Sequence, residues 1–96
     1  MFEKMKQLMD MQKMAKEAER RLEDIKIERT ALGGKLRAKV TGNQRVSAVE
    51  IDGALAAPGQ KEVLEKALVE LLNDALGDAK KEAAKAAMDM MKGLRG

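Results

Sequence analysis

The 96-residue chain reads as an α+β fold: a helix, a three-stranded antiparallel meander and a second helix. Three observations predict that order. Leu8, Met11, Ala15, Ala18, Leu22 and Ile25 recur at alternating spacings of three and four, a coiled-coil-like helical seam. Leu36, Ala38 and Val40 then alternate with Lys35, Arg37 and Lys39, which marks a half-buried strand with one apolar and one cationic face. From Leu64 to Met90 the helical period returns.

The first helix is expected over about 1–24. At about 1.5 Å per residue it would be roughly 36 Å long, longer than a small sheet is wide, so part of it must project or pack on another helix. The sheet occupies about 25–52. Its first strand is Ile25 to Thr30, alternating and rich in β-branched residues. Gly33 and Gly34 supply a turn, Lys35 to Thr41 form the second strand, Gly42-Asn43-Gln44 turn again, and Arg45 to Asp52 form the third. Val49 and Ile51 share one face of that strand. Connections this short imply an antiparallel meander.

A loop at 53–60 carries Gly53, Pro58 and Gly59, and the second helix covers about 61–91. Its stripe begins with leucines and turns small at Ala75, Ala79, Ala83 and Ala86. Small residues permit close approach, so this half is expected to pack against the first helix. Gly77 interrupts the pattern, and a Gly tolerated within a continuous helix costs about 1 kcal/mol relative to Ala. The whole forms a single domain. Its three short strands cannot bury two long helices alone, which points to a partner, most simply a second copy.

The composition excludes several functions. The chain has no Cys and no His, so disulfides, thiolate metal sites and the commonest general base are absent. Ser47, the only serine, lies in a strand pattern with no activating base at hand. No enzyme, no metal, no cofactor and no small-molecule substrate are expected. No segment is apolar enough to span a bilayer and the first residues lack a signal-peptide run, so the expected location is cytoplasmic, without membrane association.

The order of elements, with particular marker residues, resembles the YbaB/EbfC family of bacterial nucleoid-associated proteins. The markers are Gly33-Gly34, Gly42, Val49-Glu50-Ile51-Asp52, Leu64-Glu65 and Asn73-Asp74-Ala75, and they span nearly the whole chain. One departure is Gly53, where the family often has Pro after the Ile-Asp pair. The resemblance implies a homodimer whose long helices project as arms, like tweezers, and it implies duplex-DNA binding at the nucleoid. It supplies no DNA-contacting motif, so candidate contacts come from the charges of this chain.

Net charge is only +3, and its distribution carries more than its total. Within 1–16, Lys4, Lys6, Lys13 and Lys16 outnumber Glu3 and Asp10 by two. Within 80–96, Lys80, Lys81, Lys85, Lys92 and Arg95 outnumber Glu82 and Asp89 by three. Arms built from these ends would present a footprint for a phosphate backbone. The bland account of such Lys/Glu interleaving is a solvated helix face. A second-rank surface is Lys35, Arg37 and Lys39, for which an exposed sheet face kept soluble by charge is the preferred reading. With lysine as the main cation, phosphate contacts should dominate over base readout. The lack of stacking aromatics argues against a single-strand or RNA mode.

Methionines crowd both ends: Met1, Met5, Met9, Met11 and Met14, then Met88, Met90 and Met91, with Phe2 beside the first group. The bland account is that they fill a seam between the two helices. The alternative is a binding surface, since Met is over-used at adaptable interfaces. In that second reading the chain is a small holdase-type chaperone or protein-interaction module, resembling prefoldin-type subunits in its helix–hairpin–helix outline. A structural dimer serving a larger assembly is a third reading.

Overall fold

The computed structural model describes residues 2–95, with side chains described as far as Gly93. The order is α1 (Phe2–Asp24), β1 (Lys26–Ala31), a 3₁₀ turn (Leu32–Gly34), β2 (Leu36–Thr41), β3 (Val46–Ile51), a second 3₁₀ turn (Gly53–Ala56) and α2 (Lys61–Arg95). The strands form one antiparallel sheet in the order β1-β2-β3. The predicted meander is therefore present, with boundaries moved by a residue. Ile25 closes the last turn of α1, its amide donating to the Leu22 carbonyl at 3.2 Å, so the strand starts at Lys26. Gly77 leaves α2 unbroken.

Directly opposite residues share a face of the sheet. Pairing of Ile27 with Val40, Arg29 with Ala38 and Ala31 with Leu36 defines the inner face, and Val49 and Ile51 of β3 continue it. On this face Leu36, Ala38 and Val40 are fully buried beneath α2. Leu36 and Ala38 pack with Leu55 and Leu71, while Val40 packs with Ala75 and Ala79. The side chain of Asp52 accepts from the Ala54 amide at 2.8 Å and caps the turn that delivers Leu55 to this core.

Two expectations are corrected here. The small residues Ala75 and Ala79 do not receive α1; they let α2 settle onto β1 and β2. Nor do the methionines fill a helix–helix seam. No residue of α1 is buried, and Met5, Met9, Met11, Met14, Met88, Met90 and Met91 are all exposed. Met1 lies outside the described residues. The physical reason is one of reach, since α2 spends its leucines and first alanines on the sheet, which is its immediate neighbour in the chain.

The result is an elongated chain. It measures 65 × 28 × 16 Å, with a radius of gyration of 18.8 Å, where a compact chain of this length would have about 12.5 Å. A groove lined by Ile25, Ile27, Asp78 and Lys81 sets the end of α1 beside the point where α2 leaves the sheet. Both helical arms therefore spring from one end of the sheet.

Candidate nucleic-acid interface

The candidate arm lysines fall on α1 and on the part of α2 beyond Ala79, the last buried residue of that helix among those described. Lys4, Lys6, Lys13, Lys16, Lys80, Lys81, Lys85 and Lys92 are all exposed. Among the described residues, the ion pairs within 4.0 Å take their cations from Arg29, Arg37, Lys39 and Lys61, and none of the arm lysines enters one. Arg95 belongs to the last turn of α2, and its side chain lies outside the described residues.

Helical geometry sorts these lysines further. At about 100° per residue, Lys6, Lys13 and Lys16 gather on the side of α1 away from the Leu8–Met11–Ala15 stripe. On α2, Lys81, Lys85 and Lys92 gather opposite the stripe of Ala79, Ala83, Ala86 and Met90. Each arm thus sets a cationic row opposite an apolar stripe. Lys4 and Lys80 do not join these rows: Lys4 falls within the apolar stripe of α1 and Lys80 on the flank of α2. Arg20, which the charge count by segments passed over, extends the α1 row. Its signal in the sequence is the repeat of seven through Lys6, Lys13 and Arg20.

The second-rank surface is different. Lys35 stands outside β2, at the C-terminal end of the first 3₁₀ turn with φ −74° and ψ −18°, so it does not line up with Arg37 and Lys39. The turn claims it, its amide donating to the Leu32 carbonyl at 3.3 Å. Arg37 and Lys39 do share the outer face, but carboxylates answer both. Arg37 lies 2.9 Å from Glu28 and 3.7 Å from Glu50, and Lys39 lies 3.4 Å from Glu50. Half-exposed pairs of this kind are worth about 0–1 kcal/mol each. Across the three strands the two cations and two carboxylates balance in charge.

The inner face has an uncovered remainder. α2 packs on β1 and β2, so the apolar side chains Val46, Val49 and Ile51 of β3 remain exposed. Among the described residues no cluster of three or more acidic side chains could hold a metal ion, and no helix is long and apolar enough to cross a membrane.

Residues 1–94 match the model of the YbaB/EbfC DNA-binding family. A nucleoid-associated protein of Rhodopseudomonas palustris is 37% identical, across 96% of this chain and 84% of its own length. One from Afipia carboxidovorans is 35% identical with the same coverage, and one from Dictyoglomus turgidum is 33% identical across 97% of this chain and 89% of its own. The crystal structure of an uncharacterized Helicobacter pylori protein superposes with a TM-score of 0.67 at 23% identity, covering 86% of this chain and 96% of that one, a likeness of fold.

Proposed function

The chain belongs to the YbaB/EbfC DNA-binding family, and on that premise we propose that it acts at the nucleoid as a homodimer that holds duplex DNA with its helical arms. The observation that carries the arms is the contrast between two cationic surfaces. The arm lysines are exposed and without carboxylate partners among the described residues, whereas Arg37 and Lys39 are tied to Glu28 and Glu50. A phosphate backbone gains most from cations that need not first give up a partner. Lysine is a point charge rather than a planar fork, so it binds phosphate without reading base edges closely. Little sequence preference follows.

The uncovered apolar surface supports the homodimer. Val46, Val49 and Ile51 on β3 and the exposed Leu8–Met11 stripe on α1 are the surfaces a second copy would remove from water. In such a dimer the arm segments carry a net +10, from +5 in each chain.

Two measurements test this reading. Sedimentation equilibrium should give twice the chain mass, and Val49→Lys should shift it toward one chain mass. Duplex binding should weaken steeply with salt, by a log–log slope of about −0.9 per phosphate neutralised. Binding that hardly changes with salt would rule out phosphate contact as the mechanism.

The exposed arm methionines favour the second reading, a holdase or interaction module. Suppression of client aggregation without duplex binding would put that reading first.

A further inference from the structure

α1 carries two stripes, not one. The first, from Leu8 to Leu22, runs into the fold at Ile25. The second is Phe2, Met5, Met9, Lys13, Lys16 and Arg20, spaced by three or four residues throughout. At about 100° per residue these six fall within a sector about 80° wide on the far side of the helix. No carboxylate shares that sector over Phe2–Arg20. The stripe is also graded along its length, apolar toward Phe2 and cationic toward the sheet. Phe2, the only aromatic residue of the chain, is 88% exposed, and Met5 and Met9 are exposed with it.

A second copy of the chain is a poor occupant for this stripe, because the acidic row that α1 could set against its cations, Glu3, Asp10, Glu17 and Asp24, offers nothing apolar to Phe2, Met5 and Met9. A lipid surface is also a poor one, since three apolar side chains give a shallow anchor. Duplex DNA suits both halves. Lys13, Lys16 and Arg20 would meet phosphates, and Phe2, about 16 Å farther along the helix than Lys13, would meet a base step farther along the duplex. Proteins that bend DNA from the minor groove insert apolar wedges of this kind, Phe and Met among them.

We propose that Phe2, backed by Met5 and Met9, is a DNA-bending wedge in the first turn of α1, seated by the Lys13–Lys16–Arg20 row. The inference rests on the DNA-binding reading above and adds to it the mode of contact. The wedge enters from the minor groove, unstacks one base step and bends the duplex by about 20–90°. Flexible pyrimidine–purine steps are the preferred points of entry.

The test is the full chain with a duplex end-labelled for energy transfer and carrying 2-aminopurine at a central TA step, across a salt series. The unaltered protein should shorten the end-to-end distance and raise 2-aminopurine emission. Phe2→Ala with Met5→Ala should lose both signals while keeping the salt slope, and Phe2→Leu should restore the bend. Lys13→Gln with Lys16→Gln and Arg20→Gln should instead lower the slope by about 2.7, at about 0.9 per contact. Phe2 is too exposed for its replacement to unfold the chain. Salt-dependent binding without bending, or bending unchanged by the double alanine variant, overturns the wedge and leaves the DNA reading standing. Absence of any duplex binding at low salt overturns both. Sedimentation with anionic phospholipid vesicles in place of bending overturns the wedge in favour of a lipid surface.

Discussion

Gly42 and Leu22 are locked together at the root of the first arm. The Gly42 amide donates to the Leu22 carbonyl at 2.9 Å, and a Cβ built on Gly42 would lie 2.7 Å from that same oxygen and 3.0 Å from the Ile25 Cβ. The turn between β2 and β3 thereby holds the last turn of α1, and the space allows only glycine. Gly42→Ala should destabilise the fold by about 1–3 kcal/mol, the range for overpacking a close contact, read from the midpoint of urea unfolding. Gly53→Ala is the control, since a Cβ there meets nothing within 4 Å, and its midpoint should stay close to that of the unaltered protein.

The alanines of α2 have two different jobs, and substitution should separate them. Ala75 and Ala79 are fully buried against Val40 and Ile27. Ala75→Leu should lift the helix from the sheet and cost about 1–3 kcal/mol. Ala84→Leu, at an exposed position of the same helix, should fall within about 0.5 kcal/mol of neutral. Equal costs at the two positions would mean that α2 is not seated on the sheet by its small residues. Chemical denaturation of both variants decides it.

Arg29 ties the outer strand β1 to α2. Its guanidinium lies 2.7 Å from Asp78 and 3.2 Å from Asp74, carboxylates one helical turn apart. All three side chains are more than a third exposed, so their coupling should be modest. A double-mutant cycle of Arg29→Met with Asp78→Asn should give about 0.5–1 kcal/mol at low salt, and less at high salt. A coupling that survives molar salt would contradict the exposed geometry.

Much of the fold could be read from the chain because local and global signals agree. Leu36, Ala38 and Val40 alternate and are buried, and the leucines of α2 recur and meet them. What could not be read depends on contacts between distant segments. Asp74 stood out as part of the Asn73-Asp74-Ala75 marker, but nothing local reveals that its partner is Arg29. Ala75 and Ala79 announced close approach without naming the neighbour, and the sheet rather than α1 proved to be that neighbour. Lys35 followed the alternation by type, yet the adjoining turn, with φ of 54° at Leu32 and 68° at Gly33, takes it out of the strand. Counting charges by segment gathered the arm lysines but hid their sides: only the helical period separates Lys6, Lys13 and Lys16 from Lys4, and only it adds Arg20.

The central claim is that the arms, not the sheet, hold DNA. The most direct test is one duplex titrated at one low salt concentration with two charge-reversed proteins. One carries Lys80→Glu, Lys81→Glu and Lys85→Glu on the second arm. The other carries Arg37→Glu and Lys39→Glu on the outer sheet face. The arm variant should lose binding by orders of magnitude, because each lost phosphate contact also forfeits its counterion release. The sheet variant should bind within a few-fold of the unaltered protein, after urea unfolding has shown that both remain folded. Loss of binding in the sheet variant with retention in the arm variant would contradict the account.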